Sequence, residues 1–130
     1  MNMNVLVADD SSFIRALIVD TLRDLGVTDI KQAADGREAL TVFRRQEFDL
    51  IVIDWQMPRM SGLEVVEAIR AAGHQMPILM VTATGTAREN VIDAVRMGVS
   101  DYLLKPFNPA TLRDKLAKYC LAMPLSAAPA

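Results

Sequence analysis

The chain of 130 residues contains a single cysteine, Cys120, and a single histidine, His74. One cysteine cannot form an internal disulfide bond, which is typical of a protein in a reducing compartment. A zinc site is not expected, because the chain has no cluster of Cys and His ligands. Basic residues are not in excess, since the chain has 14 Lys and Arg but 16 Asp and Glu, which gives a net charge of -2. This charge argues against direct nucleic-acid binding, which needs cations to neutralise phosphates.

Long apolar segments are also missing. No run approaches the roughly 20 residues of a membrane helix, and residues 1–4 lack the basic and apolar stretches of a signal peptide. The content of 52% hydrophobic and 23% charged residues is that of a globular chain. We therefore expect a cytoplasmic protein without a membrane partner. Residues 1–122 are expected to form one domain, and the Ala- and Pro-rich residues 123–130 a flexible tail or the start of a linker.

Short apolar runs alternate with amphipathic segments along the chain. The strongest runs are residues 4–8, 50–53 and 77–81, and their apolar residues do not alternate with polar ones. This pattern is typical of parallel strands that are buried on both faces. Weaker second and fifth strands are predicted at residues 30–34 and 101–104.

The segments between the strands carry the start and stop signals of helices. The first helix has apolar residues at helical spacing between Ile14 and Leu25. The fifth begins at Asn108-Pro109 and runs to about Leu121. Pairs with the spacing of a capping box begin the other three helices: Asp35 with Glu38, Ser61 with Glu64, and Thr86 with Glu89. Glycines are predicted to end the first, third and fourth helices: Gly26, Gly73 and Gly98. Five βα units predict an α/β fold with helices on both faces of a parallel sheet.

Polar side chains follow four of the predicted strands. They are Asp9 and Asp10 after the first strand, Asp54 at the end of the third, Thr82 at the end of the fourth, and Lys105 after the fifth. Each alone reads as an ordinary cap, turn or strand residue. Ligands of an open parallel sheet, however, bind at the carboxyl ends of its strands, so we expect these side chains to converge. Three adjacent carboxylates repel one another unless a cation neutralises them, and a few oxygen ligands with room for water favour Mg²⁺.

Together these residues resemble the response-regulator receiver domain, the CheY-like family of two-component signalling. The likeness covers residues 4–121 and rests on several motifs in order along the chain: Asp9-Asp10, residues 54–58 (DWQMP), residues 62–64 (GLE), residues 79–83 (LMVTA) and residues 105–107 (KPF). It implies a flavodoxin-like, doubly wound (βα)5 three-layer sandwich. The five-stranded parallel sheet would have the strand order 2-1-3-4-5.

The resemblance also implies how the acidic residues act. Asp54 would be the phosphoacceptor, taking a phosphoryl group from the phosphohistidine of a sensor histidine kinase or a phosphotransfer protein. Asp10, Asp54 and the backbone carbonyl of Gln56 would bind Mg²⁺ directly, and Asp9 would help through water. Mn²⁺ is expected to substitute for Mg²⁺. Lys105 would pair with the phosphoryl oxygens and be followed by a cis peptide bond to Pro106.

A second set of residues would carry the signal. Thr82 would hydrogen-bond to the phosphoryl group, and Tyr102 would swing inward in response. The face made by the fourth helix, the fifth strand and the fifth helix would then bind a downstream target protein or a covalently linked output domain. The resemblance thus implies a switch that catalyses only its own phosphorylation and dephosphorylation, and not otherwise an enzyme.

Two positions depart from the chemotaxis members of the family. Gln56 and Thr84, two residues after Asp54 and Thr82, stand where CheY carries asparagine and glutamate. In this family the residues at these two positions influence how long the phosphoryl group persists. The rate of self-dephosphorylation of CheY is therefore not expected to apply to this chain. Residues 83–86 are also predicted to form a loop one residue longer than in CheY.

Other functions remain open from the residues alone. The same fold could serve as a phosphorylation-independent interaction module. A Mg²⁺-dependent aspartyl phosphatase would need a second Asp where Gln56 stands. A flavin-binding module would need a phosphate-friendly loop after the first strand, where Asp9 and Asp10 repel phosphate. Trp55 beside Asp54 either shields and reports on the site or packs within its loop.

Overall fold

Five parallel strands form one sheet at the centre of the molecule. The computed structural model describes residues 3–83, 92 and 94–127, with side chains as far as residue 120. The strands are β1 (Asn4–Ala8), β2 (Asp29–Ala33), β3 (Leu50–Asp54), β4 (Ile78–Ala83) and β5 (Asp101–Lys105). Their order is β2-β1-β3-β4-β5, and all four pairings are parallel. The predicted doubly wound topology is therefore confirmed.

Helices cover both faces of this sheet. They are α1 (Ser12–Asp24), α2 (Gly36–Phe43), α3 (Gly62–Ala71), α4, of which residues 92 and 94–96 are described, and α5 (Pro109–Ala127). α1 and α5 pack on one face and α2 and α3 on the other, which gives two separate apolar cores. The strands contact both cores, so β3 and most of β4 are buried. In the part of the chain that is described, no helix combines the length and the apolar character needed to span a bilayer.

Side-chain caps begin α2, α3 and α5 as the residue spacing predicts. Asp35 accepts a hydrogen bond from the backbone N–H of Glu38 at 2.8 Å, and Ser61 accepts one from that of Glu64 at 3.2 Å. Asn108 caps α5 by accepting from the N–H of Thr111. Each cap satisfies a helix N–H that has no partner within the helix. The predicted Thr86 and Glu89 pair and the loop of residues 84–86 lie outside the described residues.

Several element boundaries differ from the prediction. β2 ends at Ala33, because the N–H of Ala34 donates to the Glu38 carboxylate of the α2 cap and leaves the sheet. β4 extends to Ala83, because Thr82 and Ala83 pair with Leu104 and Lys105 of β5. α5 continues to Ala127 instead of ending near Leu121, although the added segment contains Pro124, which disfavours the interior of a helix. A tail or linker over residues 123–130 stays a prediction, and residues 128–130 lie outside the described part.

Gly62 allows α3 to begin directly against the end of β3. Its N–H donates to the carbonyl of Trp55 at 2.7 Å. A Cβ atom at this position would overlap the backbone carbonyl oxygen of Asp54. Glycine is therefore required here by the close approach of two backbones, and this approach determines where the end of β3 lies.

We expect Gly62→Ala to displace the backbone at Asp54 and Trp55 and to lower the free energy of unfolding by about 1–3 kcal/mol. The measurements are urea unfolding and the emission of Trp55, the one tryptophan in the chain. Gly26→Ala is the control, because Gly26 has a φ of 96° but no atom within 4 Å of an added Cβ. It should lower stability through backbone strain alone and leave native Trp55 emission unchanged. Unchanged emission in Gly62→Ala as well would refute the proposed displacement.

Candidate functional site

Three carboxylates meet at the carboxyl end of the sheet. Asp9 and Asp10 follow β1, and Asp54 ends β3, the strand paired with β1. Each residue has a carboxylate oxygen within 4.8 Å of one from each of the others. Asp9 is 0% exposed and Asp54 is 6% exposed, whereas Asp10 is open to solvent. The structure thus brings together the three acidic residues that the strand ends predict.

Lys105 supplies a positive charge to this acidic cluster. Its Nζ lies 3.0 Å from Asp9 Oδ2 and donates a hydrogen bond to Asp54 Oδ2 at 3.2 Å. The side chain reaches the cluster from the end of β5, and the Lys105–Pro106 peptide bond is cis, as expected. Burial lowers the pKa of Lys105, but the Asp9 and Asp54 carboxylates outweigh it, so the pKa is raised. Lys105 is therefore a cation.

Asp54 has an unusual acidity for an aspartate. Burial raises its pKa first, and the negative charge of Asp9 raises it further. Lys105 opposes both effects, and the resulting pKa of Asp54 is about 6. Because the ionised form of Asp54 is disfavoured by its surroundings, a positive charge added beside it would favour ionisation.

The cluster suits a divalent cation. Three carboxylates face one ammonium group, which leaves two negative charges without a neighbouring cation among these four side chains. Asp9 Oδ1 accepts from the N–H of Ser11 at 2.9 Å, while Asp9 Oδ2 is buried and has no aligned hydrogen bond within the described residues despite its contact with Lys105. Carboxylate oxygens with access to water are the ligands that Mg²⁺ prefers. Asp9, Asp10 and Asp54 could therefore hold this ion.

A cavity of about 400 Å³ opens beside the carboxylates. Predicted site residues line it from four separate segments: Asp10, Asp54, Gln56, Thr82 and Lys105. Thr82 is 1% exposed and comes from the end of β4. The cavity has the size and the mixed charge to admit a small anionic group together with a cation.

The predicted switch residue Tyr102 lies away from the cavity. Tyr102 does not line this cavity, since it lies on β5 with 38% of its surface exposed and contacts Lys115 of α5. Thr84 lies outside the described residues. The roles assigned to both stay predictions.

Sequence reasoning missed two residues that position Asp9. Arg15 Nη1 donates to the carbonyl of Asp9 at 2.6 Å, and its Nε donates to Gln32 Oε1 of β2. Ser11 caps α1 by accepting from the N–H of Ile14, so Asp9 and Asp10 are not the caps of that helix. The Ser11 cap could have been recognised from the residue type. The Arg15 contact could not, because it depends on how α1 packs beside β2.

Comparison with known proteins agrees with this geometry. A family model for the response regulator receiver domain matches residues 5–117. The chain belongs to this family. The receiver domain is 42% identical over 119 residues to the chemotaxis protein CheY-3 of Vibrio cholerae, covering 90% of this chain and 91% of that protein. It is 41% identical over 118 residues to the chemotaxis protein CheY of Pseudomonas aeruginosa, covering 89% and 94%.

Solved structures share the receiver fold. The chemotaxis response regulator CheY4 of Vibrio cholerae has 40% identity and a TM-score of 0.82, covering 92% of this chain and 99% of that one. The receiver domain of the sensor histidine kinase PA1611 of Pseudomonas aeruginosa has 30% identity and a TM-score of 0.78, covering 92% and 98%. A magnesium ion is coordinated in the active site cleft of that structure. This receiver domain is therefore of the CheY type, a phosphoacceptor of two-component signalling.

The acidity of Asp54 makes stability depend on pH in a defined direction. Its folded pKa of about 6 lies above the ordinary value of 3.8, so the folded state holds the proton more tightly and stability falls as pH rises between these values. In EDTA, Asp54→Asn should therefore be more stable than the wild type by about 1–2 kcal/mol above pH 7, after allowance for screening by water. The advantage should shrink below pH 6 and disappear near pH 4.

Urea unfolding from pH 4 to pH 8 tests this expectation. Asp20→Asn, on the exposed side of α1, is the matched control and should change stability by less than about 0.5 kcal/mol throughout. A stability difference for Asp54→Asn that stayed constant with pH would show that the ionised Asp54 carboxylate carries no such cost.

Proposed function

We propose that Asp54 receives a phosphoryl group from the phosphohistidine of a sensor histidine kinase or a phosphotransfer protein, in a reaction that requires Mg²⁺. The transfer switches the face made by α4, β5 and α5. The observation that carries this proposal is the placement of Asp54 at an open cavity, between the ammonium group of Lys105 and the carboxylates of Asp9 and Asp10.

The metal site proposed here uses oxygen ligands only. Asp10, Asp54 and the backbone carbonyl of Gln56 would bind the ion, and Asp9 would help through water. When bound, Mg²⁺ supplies positive charge that keeps Asp54 ionised and offsets the charge of the incoming phosphoryl group. The crowding of three carboxylates supports this assignment, as does the magnesium ion in the cleft of the PA1611 receiver domain. Mn²⁺, with similar oxygen preference, substitutes for it.

The chain's own side chains then position the transfer. A carboxylate oxygen of Asp54 attacks phosphorus, and the bond from phosphorus to the histidine nitrogen breaks as the acyl phosphate forms. Lys105, already hydrogen-bonded to Asp54, pairs with the phosphoryl oxygens. The buried Thr82 hydroxyl hydrogen-bonds to the same group. Phosphoryl transfer depends mainly on such positioning and charge stabilisation, so the domain needs no further catalytic residue to accept the group.

The output face lies on the neighbouring elements. Large apolar side chains remain exposed there: Ile92 and Val95 of α4, 47% and 63% exposed, and Tyr102 of β5. In our proposal Thr82 contacts the new phosphoryl group and Tyr102 turns inward, which alters this surface. The altered face binds a downstream target protein or a covalently linked output domain. The place of action is the cytoplasm, where histidine kinases obtain ATP.

Phosphoryl lifetime is proposed to depend on Gln56 and Thr84. Gln56 is exposed and lines the cavity, where its side chain can influence access of water to the acyl phosphate. Neither position carries a carboxylate, so neither supplies an acidic group to orient the hydrolytic water. The domain acts on its own phosphoryl group and not on other substrates.

Incubation with acetyl phosphate and Mg²⁺, followed by intact-mass measurement, tests the phosphoacceptor role. We expect one phosphoryl group to be added, and we expect EDTA or Asp54→Asn to prevent it. Asp20→Asn should be modified like the wild type. If no adduct accumulates, beryllofluoride with Mg²⁺ and Trp55 fluorescence replace the mass measurement. If neither a mass increase nor a change in Trp55 fluorescence is observed, the proposal is rejected in favour of a phosphorylation-independent interaction module.

A further inference from the structure

Asp101 at the start of β5 anchors a cluster of side chains on the proposed output face. Its Oδ1 accepts hydrogen bonds from Lys115 Nζ and from the N–H of Tyr102, both at 2.8 Å. Its Oδ2 accepts from the Tyr119 hydroxyl at 3.4 Å and lies 3.6 Å from Lys118 Nζ. The Asp101 side chain is only 13% exposed, so these contacts hold it in one place between β5 and α5.

This anchor is charged. Partial burial raises the pKa of Asp101, but the hydrogen bonds from Lys115 and Tyr102 and the nearby ammonium charges outweigh burial and hold the pKa below its usual value. An ionised carboxylate makes a stronger hydrogen bond to an ammonium group than a neutral one does. The position of Lys115 Nζ is therefore well defined.

Lys115 also contacts the ring of Tyr102. Its Nζ lies 5.4 Å from the ring centroid, within the range of a cation–π interaction. The ring lies at the surface, with 38% of Tyr102 exposed. Asp101 thus holds the ammonium group over the outward ring, and an inward turn of the ring would break this contact.

We propose that Lys115, held by Asp101, is a positioning residue that keeps Tyr102 in its outward orientation and so favours the resting state of the switch. The inference rests on the proposed function, in which Tyr102 turns inward when Asp54 is phosphorylated. In this switch the inward turn of Tyr102 is linked to binding of the phosphoryl group at Asp54. A contact that stabilises only the outward ring therefore weakens phosphoryl binding by the same free energy. Lys115 thereby helps to set how strongly the domain responds to phosphorylation.

The chain offers a matched control one turn of α5 away. Lys118 Nζ lies 5.5 Å from the ring centroid of Tyr119. It also neighbours Asp101 and carries the same charge, but its aromatic partner is Tyr119 and not Tyr102. Lys115→Met and Lys118→Met therefore remove the same charge from the same helix, and only the first removes the contact with Tyr102.

Fluorine NMR with 3-fluorotyrosine distinguishes the effects of the two substitutions, because the chain contains only two tyrosines, Tyr102 and Tyr119. In the resting protein, Lys115→Met should shift the Tyr102 resonance towards its position in the beryllofluoride complex, and Lys118→Met should move chiefly the Tyr119 resonance. In Mg²⁺, Lys115→Met should also lower the concentration of beryllofluoride at half saturation by about two- to fivefold, the equilibrium effect of one cation–π contact. Lys118→Met should leave it unchanged. Lys115→Arg keeps a cation over the ring and should resemble the wild type.

Asp101→Asn is a second test variant in case Lys115→Met does not fold. It removes the carboxylate that holds Lys115 and should shift the Tyr102 resonance in the same direction. Equal effects of Lys115→Met and Lys118→Met on half saturation would overturn the inference, because charge alone would then explain them. An unmoved Tyr102 resonance in resting Lys115→Met would also overturn it. If beryllofluoride binds the wild type without moving Tyr102, the proposed switch itself fails, and this inference fails with it.

Discussion

Electrostatic repulsion among Asp9, Asp10 and Asp54 is the constraint on which the rest of this structure depends. Two of these carboxylates are almost completely buried, and ionising buried carboxylates close together is costly without compensating positive charge. Lys105 compensates in part by contacting Asp9 and Asp54. The remaining negative charge makes the site receptive to a divalent cation. In our proposal the same cation would offset the charge of a phosphoryl group, so one unfavourable arrangement accounts for both the proposed metal requirement and the proposed phosphotransfer.

Such an arrangement persists only on a rigid support. The strands that end at the site are buried between two apolar cores, and their burial stabilises the fold against the local repulsion. Gly62 lets α3 close against the end of β3, while the Arg15 guanidinium and the Ser11 N–H hold the backbone and side chain of Asp9. Asp9 and Asp54 therefore cannot move apart without moving whole elements of the fold.

The site and the proposed output face are joined by a short path along β5. Thr82 of β4 is the register partner of Leu104, next to Lys105. Tyr102 and Lys105 lie on the same strand, so a change at the carboxyl end of β5 need pass only a few residues to reach α5. There Asp101 links Tyr102 to Lys115. In our proposal, the resting orientation of Tyr102 thus depends on this surface as well as on the phosphoryl site.

The sequence by itself determined the order of the strands, the caps of α2, α3 and α5, and which acidic side chains meet at the carboxyl end of the sheet. Buried parallel strands need uninterrupted apolar residues, caps need Asp, Ser or Asn at one position, and side chains at strand ends must meet at one edge of the sheet. The tertiary structure alone decided that Ala34 leaves β2 to join the α2 cap, that Arg15 contacts Asp9, and that Asp101 meets Lys115. These contacts depend on how separate elements pack against one another, and no local pattern of residues encodes the relative position of two packed elements.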